Sequence, residues 1–309
     1  MVKEVPIYVF FGFIESGKTT LIKEIVENND NYQNNSTVII TCEEGEVEYD
    51  DEWCEKYGVS VEVISSNEEL TKKKLEAIDH HYMADRYVVE FNSFFDYDNW
   101  EVPDYMAIYQ HITLINAQNF NVMFQNMKKI FSTILRPADL VIFNRCDGIK
   151  ELGNFRRQVR AINQQAQIAF ENSDGALTTM LDEDLPYDLS KNEILFEEDV
   201  YPIWYTEVFD KYEKYFNKTF KFKTFVRSII DNKYFVIGRN VMVCCAQDIQ
   251  FLGYEVKNDT NVKVKEGDCI YLECEVKFEH SKIVDEDVVM LHAKGITLLK
   301  NEENSVLSM

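Results

Sequence analysis

Proline and glycine are scarce, 5 and 11 in 309 residues. A chain so poor in both leaves little room for long disordered or low-complexity tracts. No uninterrupted apolar run reaches the roughly eighteen residues that a spanning helix needs, so the chain is not expected to cross a membrane. The opening stretch MVKEVPIYVFFGF is too short for a secretory signal and meets a glycine motif with no small-residue cleavage site. A cytoplasmic protein is expected. Basic residues are outnumbered, 32 against 54 acidic, giving a formal net charge of −22. That field repels phosphate backbones and anionic lipid, which argues against nucleic acid or membrane surfaces as main partners. Cysteines number seven, an odd and scattered set that suits free thiols in a reducing compartment better than a disulfide framework. No Ser-His-Asp or Cys-His arrangement for a nucleophile is recognisable.

What the chain does have is core material: 46% hydrophobic and 13% aromatic residues, in a length that suits two domains. Strand-like runs at 5–11, 37–41, 59–64, 87–91, 112–115, 140–143 and 168–170 alternate with helical periodicity at 19–27, 68–83 and 155–163. Continuous apolar strands separated by helices predict an α/β domain with a mostly parallel sheet over residues 1–172. Residues 173–200 read as an acidic linker. From 201 to 309 the texture changes to short β-rich runs at 220–226, 234–237, 241–245, 269–278 and 288–299, predicting a small antiparallel barrel or sandwich.

Gly12-Phe13-Ile14-Glu15-Ser16-Gly17-Lys18-Thr19 satisfies G-x-x-x-x-G-K-[ST] between a predicted strand and a predicted helix. Its glycines let the backbone wrap phosphate oxygens with amides pointing inward. Lys18 is expected to reach the β- and γ-phosphates, Thr19 to ligate Mg²⁺, and Thr20 to continue the helix whose positive end faces the anion. Glu90 ends the strand YVVE at the edge where open α/β sheets bind ligands, and can hold Mg²⁺ through water or orient the attacking water. Asn144-Arg145-Cys146-Asp147 follows the strand LVIF. A carboxylate at Asp147 can accept two hydrogen bonds from guanine that adenine cannot offer, with Asn144 stabilising the loop. On spacing alone N-x-x-D is a weak signal, because turns favour both residues.

GFIESGKTTLI, CEEGEVEYDD, VVEFNSF and NRCD together resemble the CobW/HypB/UreG group of P-loop GTPases, the CobW-type branch most closely. The resemblance spans about residues 5–172 and implies GTP hydrolysis coupled to metal insertion or cofactor maturation. It places Gly45, Glu46 and Asp50 in the first switch segment, with Glu46 facing the Mg²⁺ and γ-phosphate. The chain departs from that pattern in several places. Between Asp51 and Leu75, where the family carries its metal-binding C-x-C-C, only Cys54 occurs. Cys42 stands for the usual Asn, Ser93 for the glycine of E-x-x-G, Asn116 for a common Asp, and Arg145 for the lysine that packs on the base. Arginine can stack there too.

The run FVIGRNVMVCCAQDIQFLG resembles a C-terminal domain of unknown function on subunits paired with predicted membrane permeases, through Gly238, Arg239, Cys244, Cys245 and Asp248. That resemblance implies an OB-like β-barrel. Cys244, Cys245 and Asp248 form a candidate transition-metal site for zinc or a similar ion. Adjacent cysteines on a strand point to opposite faces, however, so buried structural thiols remain the other reading. The expected protein is thus a slow Mg²⁺-dependent GTPase acting as a metallochaperone-like or cofactor-maturation accessory to a metalloprotein client. Lys18, Glu46 and Glu90 would carry the chemistry, and Gly12 to Thr20 with Asn144, Arg145 and Asp147 would bind the nucleotide. The alternatives are a nucleotide-dependent adaptor for a membrane permease and an ATP-using P-loop protein.

Overall fold

The structure is a computed structural model and describes residues 4–29, 32, 35–43, 45, 47–177, 185–242, 249–300 and 302–308. The chain divides into two compact units, Met1–Leu181 and Asp182–Met309. In the first, seven strands form one sheet: β1 (Val5–Phe11), β2 (Thr37–Thr41), β3 (Val59–Val63), β4 (Arg86–Glu90), β5 (Met106–Asn116), β6 (Leu140–Asn144) and β7 (Gln167–Phe170). Their order is β3-β2-β4-β1-β5-β6-β7, and every pairing is parallel. Parallel strands must be buried on both faces, which explains why β2 and β4 carry no polar alternation.

Among the described residues six helices supply that cover: α1 (Lys18–Asn28), α2 (Asp51–Tyr57), α3 (Lys72–Tyr82), α4 (Phe120–Asn126), α5 (Lys128–Leu135) and α6 (Leu152–Ile162). On one face Ile22 and Val26 of α1 and Trp53 of α2 pack with Phe10, Ile39 and Val88 of the sheet. Elsewhere Phe120 of α4 lies within ring contact of Phe124, Phe131, Phe143 and Phe155. Three helices, α2, α4 and α5, have no counterpart in the sequence reading, because each is only seven or eight residues long and barely completes two turns of periodicity. α3 begins at Lys72 rather than Glu68, since Thr71 caps it by accepting from the Lys74 amide. Ile39 is fully buried in the strand that delivers residues 42 and 43 to the sheet edge. Ile39→Val should therefore cost about 0.5–1.5 kcal/mol, read from the midpoint of chemical denaturation, with nucleotide binding kept.

The second unit holds β8 (Glu193–Leu195), α7 (Tyr201–Lys211), β9 (Thr219–Ile229), β10 (Tyr234–Met242), β11 (Ile249–Asn258), β12 (Cys269–His280), β13 (Asp287–Leu299) and β14 (Leu307–Ser308). Five strands close on themselves in the order β9-β10-β11-β13-β12 and back to β9. β11 and β13 run parallel and the other barrel pairs antiparallel. This is the connectivity of a five-stranded Greek-key OB barrel, which bears out the expected class. β10 is one strand through Gly238, Arg239 and Asn240, where the sequence suggested a break, because each of these pairs with β11. The aromatic stretch after Tyr201 also divides unexpectedly. Its first part is α7, whose fully buried Tyr201 and Trp204 pack on Phe222; Tyr201, Trp204, Tyr205 and Phe209 recur at helical spacing, but the further rings through Phe225 blur where that period stops.

Candidate functional site

The site assembles where β1, β2, β4 and β6 end, the carboxyl edge of the sheet. Gly12 and Gly17 both have positive φ, 149° and 99°. A Cβ at Gly12 would meet the Leu114 carbonyl at 2.5 Å, and one at Gly17 the Asn144 Nδ2 at 2.9 Å. The loop between them therefore admits only glycine at its two ends. Glu15 also has positive φ, as does Arg145, and Arg145 Nη1 donates to the Glu15 carbonyl at 3.1 Å. Asn144 Nδ2 donates to the Ser16 carbonyl at 2.7 Å. The NRCD segment thus braces the glycine loop by two side chains.

Lys18, the first residue of α1, is 2% exposed. Its ammonium donates to the Gly12 carbonyl at 2.8 Å and the Phe13 carbonyl at 3.0 Å, and forms an ion pair with Glu43. The Thr19 hydroxyl donates to Glu90 Oε1 at 2.8 Å, and the Tyr49 hydroxyl donates to Glu90 Oε2 at 2.9 Å. Burial, followed by the Glu90 charge, pushes the Tyr49 phenol up, so it stays a donor at neutral pH. Burial also pushes the Glu43 carboxyl up, against the pull of Lys18. Glu15, Thr20, Gly45 and Val47 complete the lining of this concavity. Ser16 Oγ is buried and has no hydrogen-bond partner among the described residues.

Beyond the loop, Asp147 is held by Ser173, whose amide and hydroxyl donate to Oδ2 at 2.9 and 2.5 Å. These bonds keep its carboxyl below the usual range, and thus charged at neutral pH. Cys146 is buried with its thiol pushed up to about 11, chiefly by burial, which makes it inert packing. Cys42, also buried, is pushed up to about 12 for the same reason. Ser93 sits under the loop: its hydroxyl donates to the Gly12 carbonyl at 3.0 Å and accepts from the Gly12 amide at 3.3 Å. Serine in place of glycine there becomes a clasp on the turn.

The structure brings Gly12, Glu15, Ser16, Gly17, Lys18, Thr19, Thr20, Glu90, Asn144 and Arg145 into one neighbourhood, with Asp147 on the same segment as Arg145. Glu46 lies outside the described residues, as do Cys244, Cys245 and Asp248. Among the described residues no group of three or more His, Cys, Asp and Glu side chains is arranged to hold a metal. Cys274 is wholly buried in the barrel core, and burial drives its thiol up. Sequence reasoning missed Glu43, Tyr49 and Ser173. Glu43 had one usable signal, its place two residues past the end of β2 at the ligand edge; the other two arrive from loops whose path no local pattern shows.

Among the described residues no helix is long and apolar enough to cross a membrane. Curated proteins offer no match to the chain. Solved structures offer loose likenesses. The hydrogenase maturation factor HypB from Archaeoglobus fulgidus is 17% identical with a TM-score of 0.41, covering 57% of this chain and 85% of its own. The Zn(II)-bound YjiA GTPase from E. coli is 16% identical with a TM-score of 0.42, covering 82% and 89%. Likenesses this loose leave the fold to be read from the chain's own sheets. The family models are more direct. Residues 171–306 match the DUF1980 C-terminal domain, so β8 falls within that match. Residues 6–170 match the nucleotide-binding domain of CobW/HypB/UreG. With the glycine loop, its buried lysine and the Thr19–Glu90 pair on that same stretch, the chain belongs to the CobW/HypB/UreG family.

Proposed function

We propose that the chain binds GTP and hydrolyses it slowly with Mg²⁺, serving in the cytoplasm as an accessory GTPase for metal delivery or cofactor maturation in a client metalloprotein. The observation that carries this reading is the buried Lys18 beside the Thr19–Glu90 hydrogen bond at the end of a glycine-framed loop. Lys18 and the loop amides offset phosphate charge where it grows in the transition state. Asp147, oriented and kept ionised by Ser173, accepts from the guanine edge, while Arg145 packs beside the base. Glu46 or Glu90 positions the attacking water.

Thr19 and Glu90 present hard oxygen donors side by side, the ligand type that suits Mg²⁺. When bound, that ion would neutralise charge on the β- and γ-phosphate oxygens. Glu90→Gln keeps shape and removes the charge, and should weaken the apparent Mg²⁺ affinity of hydrolysis by about 10–100-fold. Titrating GTP turnover against Mg²⁺ checks this, and an unchanged half-saturation would exclude Glu90 from the cation site. Tight GTP binding with negligible turnover at saturating Mg²⁺ would favour the adaptor role instead. Metal cargo would be held by Cys244, Cys245 and Asp248, whose thiolates and carboxylate suit zinc or a similar ion. Elemental analysis of wild type against the Cys244→Ser, Cys245→Ser double variant should show zinc or a similar metal in the first and not the second.

A further inference from the structure

Lys18 carries three N–H donors, and three acceptors already surround it: the Gly12 carbonyl, the Phe13 carbonyl and the Glu43 carboxylate. A phosphate oxygen reaching this ammonium must replace one of them. Two belong to the backbone of the loop itself. The third is a side chain that can turn away. Glu43 is also shielded, with its side chain 7% exposed, and its carbonyl is fixed by the Thr41 hydroxyl at 2.8 Å. Glu90, the other nearby carboxylate, is engaged by Thr19 and Tyr49 and does not touch the ammonium. Among the described residues Glu43 is therefore the one acidic side chain standing on Lys18, with the same sign of charge as a phosphate.

We infer that Glu43 is an internal anion that holds Lys18 until a nucleoside triphosphate displaces it, and that it sets the preference of the site between triphosphate and diphosphate. The inference rests on the P-loop nucleotide site proposed above. A P-loop lysine reaches both β- and γ-phosphates. A triphosphate brings both β- and γ-oxygens to the ammonium, needs two of its three donors and adds negative charge toward Glu43, whereas a diphosphate needs only one donor. While the pair is closed, apparent triphosphate affinity falls by the fraction of molecules in which Lys18 is released. Glu43 follows β2 directly, and two further ties act in the same segment, Lys23 Nζ donating to the Glu48 carbonyl at 3.1 Å and to Asp50 Oδ2 at 3.3 Å. Displacing Glu43 thus acts on the chain leading to α2.

The test is calorimetric titration of the full chain with Mg²⁺, using a non-hydrolysable GTP analogue and GDP in parallel. Glu43→Gln, which keeps the shape and loses the charge, should tighten the triphosphate analogue by about tenfold or more and move GDP by less than about threefold. Glu43→Ala should shift the ratio in the same direction, separating charge from side-chain shape. An unchanged ratio in both variants, or weaker triphosphate binding, would overturn the inference and make Glu43 a helper of the ligand. Wild type binding neither nucleotide would overturn the nucleotide reading itself, and this inference with it.

Discussion

Lys18→Ala is expected to abolish measurable GTP turnover, lowering kcat by about 10²–10³-fold or more. The size follows from where the ammonium sits. It is buried, it is bound by the carbonyls of the loop it must stabilise, and among the described residues it touches no solvent-facing partner that could substitute. Removing it deletes a fixed positive charge in a shielded site, where a charge interaction is far stronger than in water. It also strands Glu43, whose carboxyl already leans toward protonation by burial. The variant should answer by protonating Glu43 rather than by unfolding. Far-UV circular dichroism should match wild type while phosphate release falls to background, and a variant that still turns over GTP at a wild-type rate would remove Lys18 from the mechanism.

Asp147→Asn should produce the second large effect, a loss of GTP preference. A charged acceptor that makes two hydrogen bonds to guanine contributes about 1.5–3 kcal/mol per bond, so GTP affinity should fall by about 10²-fold or more. The asparagine amide donates where the carboxylate accepted. A base with an oxo group in place of the exocyclic amine, xanthine, should then bind better than guanine. Competition among GTP, XTP and ATP reads the result directly. If the affinity for GTP is unchanged, Asp147 does not read the base, and the ATP-using alternative gains.

How much of this was open to inspection of the residues alone follows from the range of each interaction. The glycine loop is local: eight consecutive residues contain both positive-φ glycines, the lysine and the threonine, so its geometry is written in one stretch. Glu90 and Asn144–Asp147 were legible because each ends a strongly apolar strand. Glu43, Tyr49 and Ser173 were not, since their roles arise from contacts across 25, 41 and 26 residues of chain that no periodicity encodes. The same contrast holds in the barrel. Its β-rich texture was plain, yet β11 escaped notice because glycine, polar and charged residues interrupt its apolar positions, and α7 ran unmarked into the aromatic residues that follow it. Arg239 was picked out by resemblance alone. The structure gives it a packing reason: fully buried, it pairs with Glu198 and donates to the Ser305 carbonyl at 3.1 Å, tying the chain near β14 to the barrel.

On the proposed function, the loop from Gly12 to Thr19, with Glu90 and Asp147, forms a Mg²⁺-dependent guanine nucleotide site. Isothermal titration of the full chain with GTP and ATP, each with and without Mg²⁺, tests it most directly. One GTP per chain is expected, tightened by Mg²⁺ and lost in Lys18→Ala, with ATP bound at least about tenfold more weakly. No GTP binding in the presence of Mg²⁺, or equal binding of ATP and GTP, would contradict it.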